Sequence, residues 1–161
     1  MPKYITIDGE VDQVMLQKFI DIPNEPVIVF FTTNGGATNI WENIVEIINS
    51  LDDIELVWTD ELSSCGFSIF FNAKCKKRIT DNCVGMTHMG AFTSYINPYS
   101  IKNPQWGTKV KLMNIKHFFK KEVKFYKKEL WMSKSDIKAY KENYDVHFTA
   151  KRLRKFISNQ K

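Results

Sequence analysis

Ser64, His88 and the pair Gly35-Gly36 are residues of the types that nucleophilic serine catalysis uses. That chemistry needs a hydroxyl, a base to take its proton, and donors aimed at the developing oxyanion. Ser64 lies between the strand-like segment Ile54-Glu55-Leu56-Val57-Trp58 and an apolar run, Phe67 to Phe71, that reads as a buried helix start. Free backbone N–H groups and the positive end of a helix dipole gather at such a junction, and both stabilise an oxyanion. Serine is also a preferred helix N-cap, so capping is the simpler use of the same hydroxyl. His88 ends the segment Asn82-Cys83-Val84-Gly85-Met86-Thr87-His88. A neutral imidazole titrates near neutral pH and suits the role of base, although a core histidine is the plainer reading. Gly35-Gly36 follows the strongly apolar run from Val27 to Phe31. Glycine allows close backbone approach because it has no Cβ, and it equally makes an ordinary turn.

The elements that would position these residues alternate between strand and helix. Tyr4-Ile5-Thr6-Ile7 reads as an opening strand, and residues 11–21 as an amphipathic helix ended by Ile22-Pro23. Val27 to Phe31 has no polar residue, as expected of a parallel strand covered on both faces. Ile40, Trp41, Ile44, Val45, Ile48 and Leu51 form one stripe of a helix from about Ala37 to Ser50, before the strand Ile54–Trp58. This is a strand-helix-strand crossover, the unit of a parallel sheet. Lys74 to Arg78 reads as a charged turn, Ile79-Thr80 and Cys83 to Met86 as short strands, and residues 90–107 as an irregular connection. Lys109 to Leu130 reads as one long helix or two shorter ones. Ser133 and Asp136 form a capping box that opens another helix.

At 161 residues with 43% hydrophobic content, the chain is expected to be one domain with a real core. Its apolar runs are too short to cross a bilayer, and the N-terminus lacks the pattern of a secretory signal. Cys65, Cys75 and Cys83 are odd in number without CxxC spacing, so neither disulfides nor zinc is expected, and the cytosol is the default compartment. Nothing calls for a metal or a cofactor. Residues 1–101 carry 6 Lys/Arg and 13 Asp/Glu, whereas residues 102–161 carry 17 and 5, within a net charge of +5. Such asymmetry suits a nucleic-acid or acidic partner, but a solvated surface is the plainer explanation.

Three motifs in order resemble the Clp protease proteolytic subunit, a serine peptidase of the ClpP/crotonase fold. Thr32-Thr33-Asn34-Gly35-Gly36 is similar to that family's Asn-Ser-Pro-Gly-Gly turn, Ser63-Ser64-Cys65-Gly66 to its Ala-Ser-Met-Gly nucleophile motif, and Thr87-His88 to its Ile-His motif. The serine-to-histidine spacing, 24 residues here, also matches. Asp8-Gly9-Glu10-Val11 resembles the family's Thr-Gly-Gln-Val, and the segment from Leu130 to Tyr140 its Asp-x-Phe-Leu-Ser-Ala-x-Glu-Ala-x-x-Tyr-Gly. The resemblance covers roughly residues 4 to 145 in element order. It departs where Asn34 replaces the turn's proline, where Asp60 and Glu61 precede the nucleophile, and where Met89-Gly90 follows the histidine.

The resemblance implies a single α/β domain of ClpP/crotonase type, with a handle region at about 107–130 and a basic tail at about 149–161. It implies a serine endopeptidase with Ser64 as nucleophile and His88 as base. The N–H of Gly35 or Gly36, with that of Cys65, would form the oxyanion hole. Glu129, four residues before Ser133, occupies the place of the family's acid; Asp136 or a Ser-His dyad are the alternatives. Cys65 ranks behind Ser64 as nucleophile. The expected partners are a peptide or protein substrate and further copies of the chain, with no membrane. The family's N-terminal gating segment has no counterpart here, so no ATPase partner is expected. A viral head-maturation protease of this fold acts in that way. The remaining readings are an inactive ClpP-like assembly or binding subunit, an acyl-CoA hydratase relative, and a nucleic-acid binder resting on the C-terminal charge alone.

Overall fold

Val27–Thr33 alternates buried and half-buried positions and forms strand β2, which lies between β1 (Lys3–Ile7) and β3 (Ile54–Ser63), parallel to both. The computed structural model describes residues 1–88, 106–128, 132–142 and 144–158; for residues 106–112, 114, 115 and 118 it describes the backbone alone. The chain divides into two compact units, Met1–His88 with Asp145–Lys161, and Met89–Tyr144.

The first unit holds a six-stranded sheet in which β3 is followed by β5 (Val84–Thr87) and then β6 (Val146–Thr149), giving the order β1-β2-β3-β5-β6, with β4 (Lys76–Ile79) also paired to β3. Strand β5 runs parallel to β3, while β6 runs antiparallel to β5. Helix α1 (Gln13–Ile20) opens under an Asp12 cap, whose carboxylate accepts the Met15 N–H at 2.8 Å. Helix α2 begins at Trp41 rather than near Ala37, and ends at Ser50. Residues 38–40 form a turn instead, because the Ala37 N–H is drawn to the Val11 carbonyl at 2.7 Å beside a parallel bridge between Val11 and Gly36.

β3 runs five residues past the strand expected to end at Trp58, and a bulge makes this possible. Phe31 faces Trp58 and Thr33 faces Leu62, so three residues of β3 oppose the single Thr32. The Thr32 hydroxyl closes the bulge, donating to the Glu61 carbonyl at 2.8 Å and accepting the Glu61 N–H at 3.2 Å. β3 changes partner across it: Glu55 to Trp58 pair with β4, and Glu61 to Ser63 pair with β5. Lys76–Ile79 is therefore strand rather than charged turn. Arg78 pairs with Glu55 at 3.1 Å and Lys76 with Asp53 at 2.9 Å.

Helix α3 (Cys65–Asn72) is buried over its first seven residues. Trp58, Phe67, Phe70 and Phe71 form an aromatic cluster that reaches Phe148 and, on helix α6 (Ala150–Ser158), Phe156. The basic residues of α6 are partly used within this unit. Arg154 donates to the Ile79 carbonyl at 3.2 Å and to Asp81 at 2.5 Å, and Arg152 lies 4.7 Å from the Phe148 ring centroid.

Gly85 of β5 faces the same cluster. A Cβ there would lie 2.5 Å from the Trp58 ring and 3.1 Å from both Leu153 and Phe67. None of these groups is the free end of a flexible chain, so the core must shift. Gly85→Ala is expected to lower the unfolding free energy by about 1–3 kcal/mol, read as a lower urea midpoint at unchanged slope. An unchanged midpoint would show that the cluster has slack.

The second unit is described as α4 (Trp106–Lys128) and α5 (Lys134–Lys141). Lysines 116, 120, 121, 124, 127 and 128 are exposed along α4, while Tyr126 is buried against Tyr140 with ring centroids 5.1 Å apart. The Tyr140 hydroxyl donates to Glu122; burial, then the neighbouring Tyr126 and Glu122, hold this phenol protonated.

Candidate active site

Ser64 is the one residue between β3 and α3. Its backbone has φ 53° and ψ −124°, and it is the only non-glycine residue with positive φ among the described residues. Such a conformation costs of order 1–3 kcal/mol and persists where surrounding structure imposes it. Its N–H is tied to the Met86 carbonyl of β5 at 2.9 Å, and α3 starts at the next residue. The side chain makes no capping hydrogen bond to α3. The hydroxyl lies instead 2.9 Å from His88 Nε2. Capping therefore does not account for this serine.

His88 follows the last residue of β5, and Asp145 precedes the first residue of β6. Thr87 faces Val146 in that antiparallel pair, so the register sets the imidazole and the carboxylate side by side beyond it. His88 Nδ1 is 3.3 Å from Asp145 Oδ1. A carboxylate on Nδ1 favours the tautomer with Nδ1–H donating, which leaves the Nε2 lone pair to accept the Ser64 hydroxyl proton. The side chains of His88 and Asp145 are 35% and 53% exposed, so solvent screens this contact and it adds little to stability.

The carboxylate found on His88 is thus that of Asp145, which the sequence reading did not single out. Glu129, assigned there by resemblance, lies outside the described residues. Asp136 is engaged in the capping box of α5, where its carboxylate accepts the Ser133 N–H at 2.9 Å and its own N–H donates to Ser133 Oγ at 3.1 Å. One signal for Asp145 was present in the sequence. Val146-His147-Phe148-Thr149 alternates apolar and polar, a short strand pattern with an acid at its head.

Gly35 passes directly beside the serine, with Gly36 next in the chain. A Cβ on Gly35, at φ 105°, would lie 2.6 Å from Ser64 Cβ. The Gly35 N–H is used internally, donating to Thr33 Oγ1 at 3.1 Å. Gly36 differs: its N–H, with those of Cys65 and Gly66, favours the anionic form of the Cys65 sulfur. The Gly36 N–H and the first N–H groups of α3 thus converge on one side chain beside Ser64, and donors of this kind are what an oxyanion hole is built from. Of the two glycines proposed as donors, Gly36 is the one whose N–H makes no hydrogen bond to a backbone carbonyl or to the Thr33 hydroxyl among the described residues.

Cys65 itself is held as a thiol. Burial dominates over those three N–H groups and pushes its pKa up to about 11, so only about one molecule in ten thousand carries a thiolate at pH 7. That disfavours Cys65 as nucleophile beside a serine already bonded to an imidazole. Cys75 is likewise pushed up to about 11, chiefly by burial. Among the described residues, no three His, Cys, Asp or Glu side chains gather as metal ligands, and no helix is long and apolar enough to cross a membrane.

The fold is α/β of the ClpP/crotonase type. Among solved structures, a point mutant of ClpP1 from Listeria monocytogenes matches with a TM-score of 0.69 at 17% sequence identity, over 96% of this chain and 86% of that one. No family model and no curated protein matches the sequence. At that identity the likeness establishes the fold, and the chemistry has to be argued from the site.

Proposed function

We propose that this chain is a ClpP-like serine endopeptidase that hydrolyses peptide bonds through Ser64, His88 and Asp145. The observation that carries the reading is the Ser64 hydroxyl at 2.9 Å from His88 Nε2, on a serine held at positive φ with no capping bond. His88 takes the hydroxyl proton as Oγ adds to the substrate carbonyl carbon. The N–H groups of Gly36 and Cys65 receive the oxyanion, and Asp145 stabilises the imidazolium. The imidazolium then returns its proton to the leaving amine, and water repeats the sequence on the acyl-enzyme. The substrate in this reading is a peptide or unfolded protein segment. Assembly with further copies of the chain belongs to the same reading, as the fold resemblance implies.

The test is covalent labelling with a fluorophosphonate, read by intact mass and by mapping the modified peptide. One adduct on Ser64, absent after heat denaturation, is expected. Ser63 serves as an internal control. Its hydroxyl is bonded to Glu61 Oε1 at 2.5 Å and it is 1% exposed, so it should stay unmodified. Failure of the folded protein to label would leave a non-catalytic ClpP-like subunit.

A further inference from the structure

We propose that Glu10 makes this site select a positively charged residue beside the scissile bond, an inference that rests on the peptidase reading above. Glu10-Val11 is laced to the glycine turn. The Val11 N–H donates to the Gly35 carbonyl at 2.8 Å, and the Ala37 N–H donates to the Val11 carbonyl at 2.7 Å. A Cβ on Gly36 would lie 2.9 Å from Glu10 Cγ, so the acidic side chain stands against the residue whose N–H is assigned to the oxyanion. Its negative charge is also the smallest of the influences that act on the Cys65 thiol, after burial and the backbone N–H groups.

Glu10 is exposed, and among the described residues its carboxylate has no hydrogen bond or ion pair. The neighbouring cation, Lys18, is turned to Asp8, at 3.4 Å. An unpaired carboxylate at the rim opposes an anion forming on the Gly36 and Cys65 N–H groups. A substrate cation lying between the two negative charges removes that opposition, a neutral substrate leaves it standing, and an acidic one adds to it. The selection therefore acts on the transition state, and so on kcat/KM.

The experiment uses internally quenched peptides of one backbone with Lys, Gln or Glu at each of the two residues flanking the cleaved bond, with cleavage sites confirmed by mass. The wild type should prefer Lys over Gln, and Gln over Glu, at one of these positions by about three- to tenfold per step, an effect that shrinks as salt rises. Glu10→Gln should compress the series and cleave the Gln peptide faster than the wild type does. Glu10→Lys should reverse the order. Glu10 is a surface residue, so both variants are expected to fold. A series that keeps its order and spacing in both variants overturns the inference. If the wild type cuts no peptide and takes no fluorophosphonate, the peptidase reading falls and the inference with it; labelling and cutting without a charge preference overturns the inference alone.

Discussion

Ser64→Ala is expected to take no acyl label and to lose peptide cleavage down to background, a loss of up to about 10⁶-fold in kcat if the serine and histidine act as a unit. The variant should fold as the wild type does. Alanine keeps the Cβ that Ser64 already carries at φ 53°, so the backbone strain is unchanged, and no cap on α3 is lost because the hydroxyl makes none. A change in unfolding free energy within about 0.5 kcal/mol is therefore expected, and this separates the substitution from a generic loss of structure. If Ser64 were an N-cap, the outcome would be the opposite: full activity and a stability loss of about 1 kcal/mol. Cleavage by Ser64→Ala at the wild-type rate would end the peptidase assignment to this serine.

The parts of the fold legible in the sequence were those with strong local patterns. The uncharged run from Val27 and the apolar stripe of α2 announced a parallel strand and its crossover, and the Ser133 to Asp136 spacing announced the capping box. The parts that escaped depend on non-local pairing. Lys76–Ile79 has a composition that argues for a turn, yet it is a strand because its backbone pairs in parallel with Glu55–Trp58 of β3, with Asp53 and Glu55 matching its charges. The bulge opposite Thr32 has no signature of its own. It carries β3 beyond Trp58, where the strand was expected to end, and makes Asp60-Glu61 the place where β3 changes partners. The candidate site divides in the same way. Ser64 and His88 were legible because each sits at the end of a recognisable element. Asp145 was not, because it lies 57 residues from His88 and reaches it only through the pairing of β5 with β6. Gly35 and Gly36 were found together, but that the Gly35 N–H is taken up by the Thr33 hydroxyl is a matter of three-dimensional geometry.

Asp145→Asn tests the acid most sharply. The carboxylate accepts the Nδ1 proton and so keeps Nε2 free for the serine; an amide can instead donate to Nδ1 and hold the tautomer whose Nε2 already bears a proton. That imidazole cannot act as base. The expected loss is about 10²–10⁴-fold in kcat, with KM little changed because the acid does not touch substrate. Asp145→Ala, which imposes no tautomer, should lose no more than Asp145→Asn. Stability should change little in either variant, since the pair is half exposed and screened. The fluorophosphonate rate should fall in parallel with kcat, because labelling also requires His88 to take the Ser64 proton. Glu129→Gln is the companion variant, and its kcat should stay within about threefold of the wild type if Asp145 is the acid. The reverse pattern, with Asp145→Asn near wild type and Glu129→Gln down by a hundredfold or more, would return the third position to Glu129. Equal indifference to both would leave a Ser-His dyad.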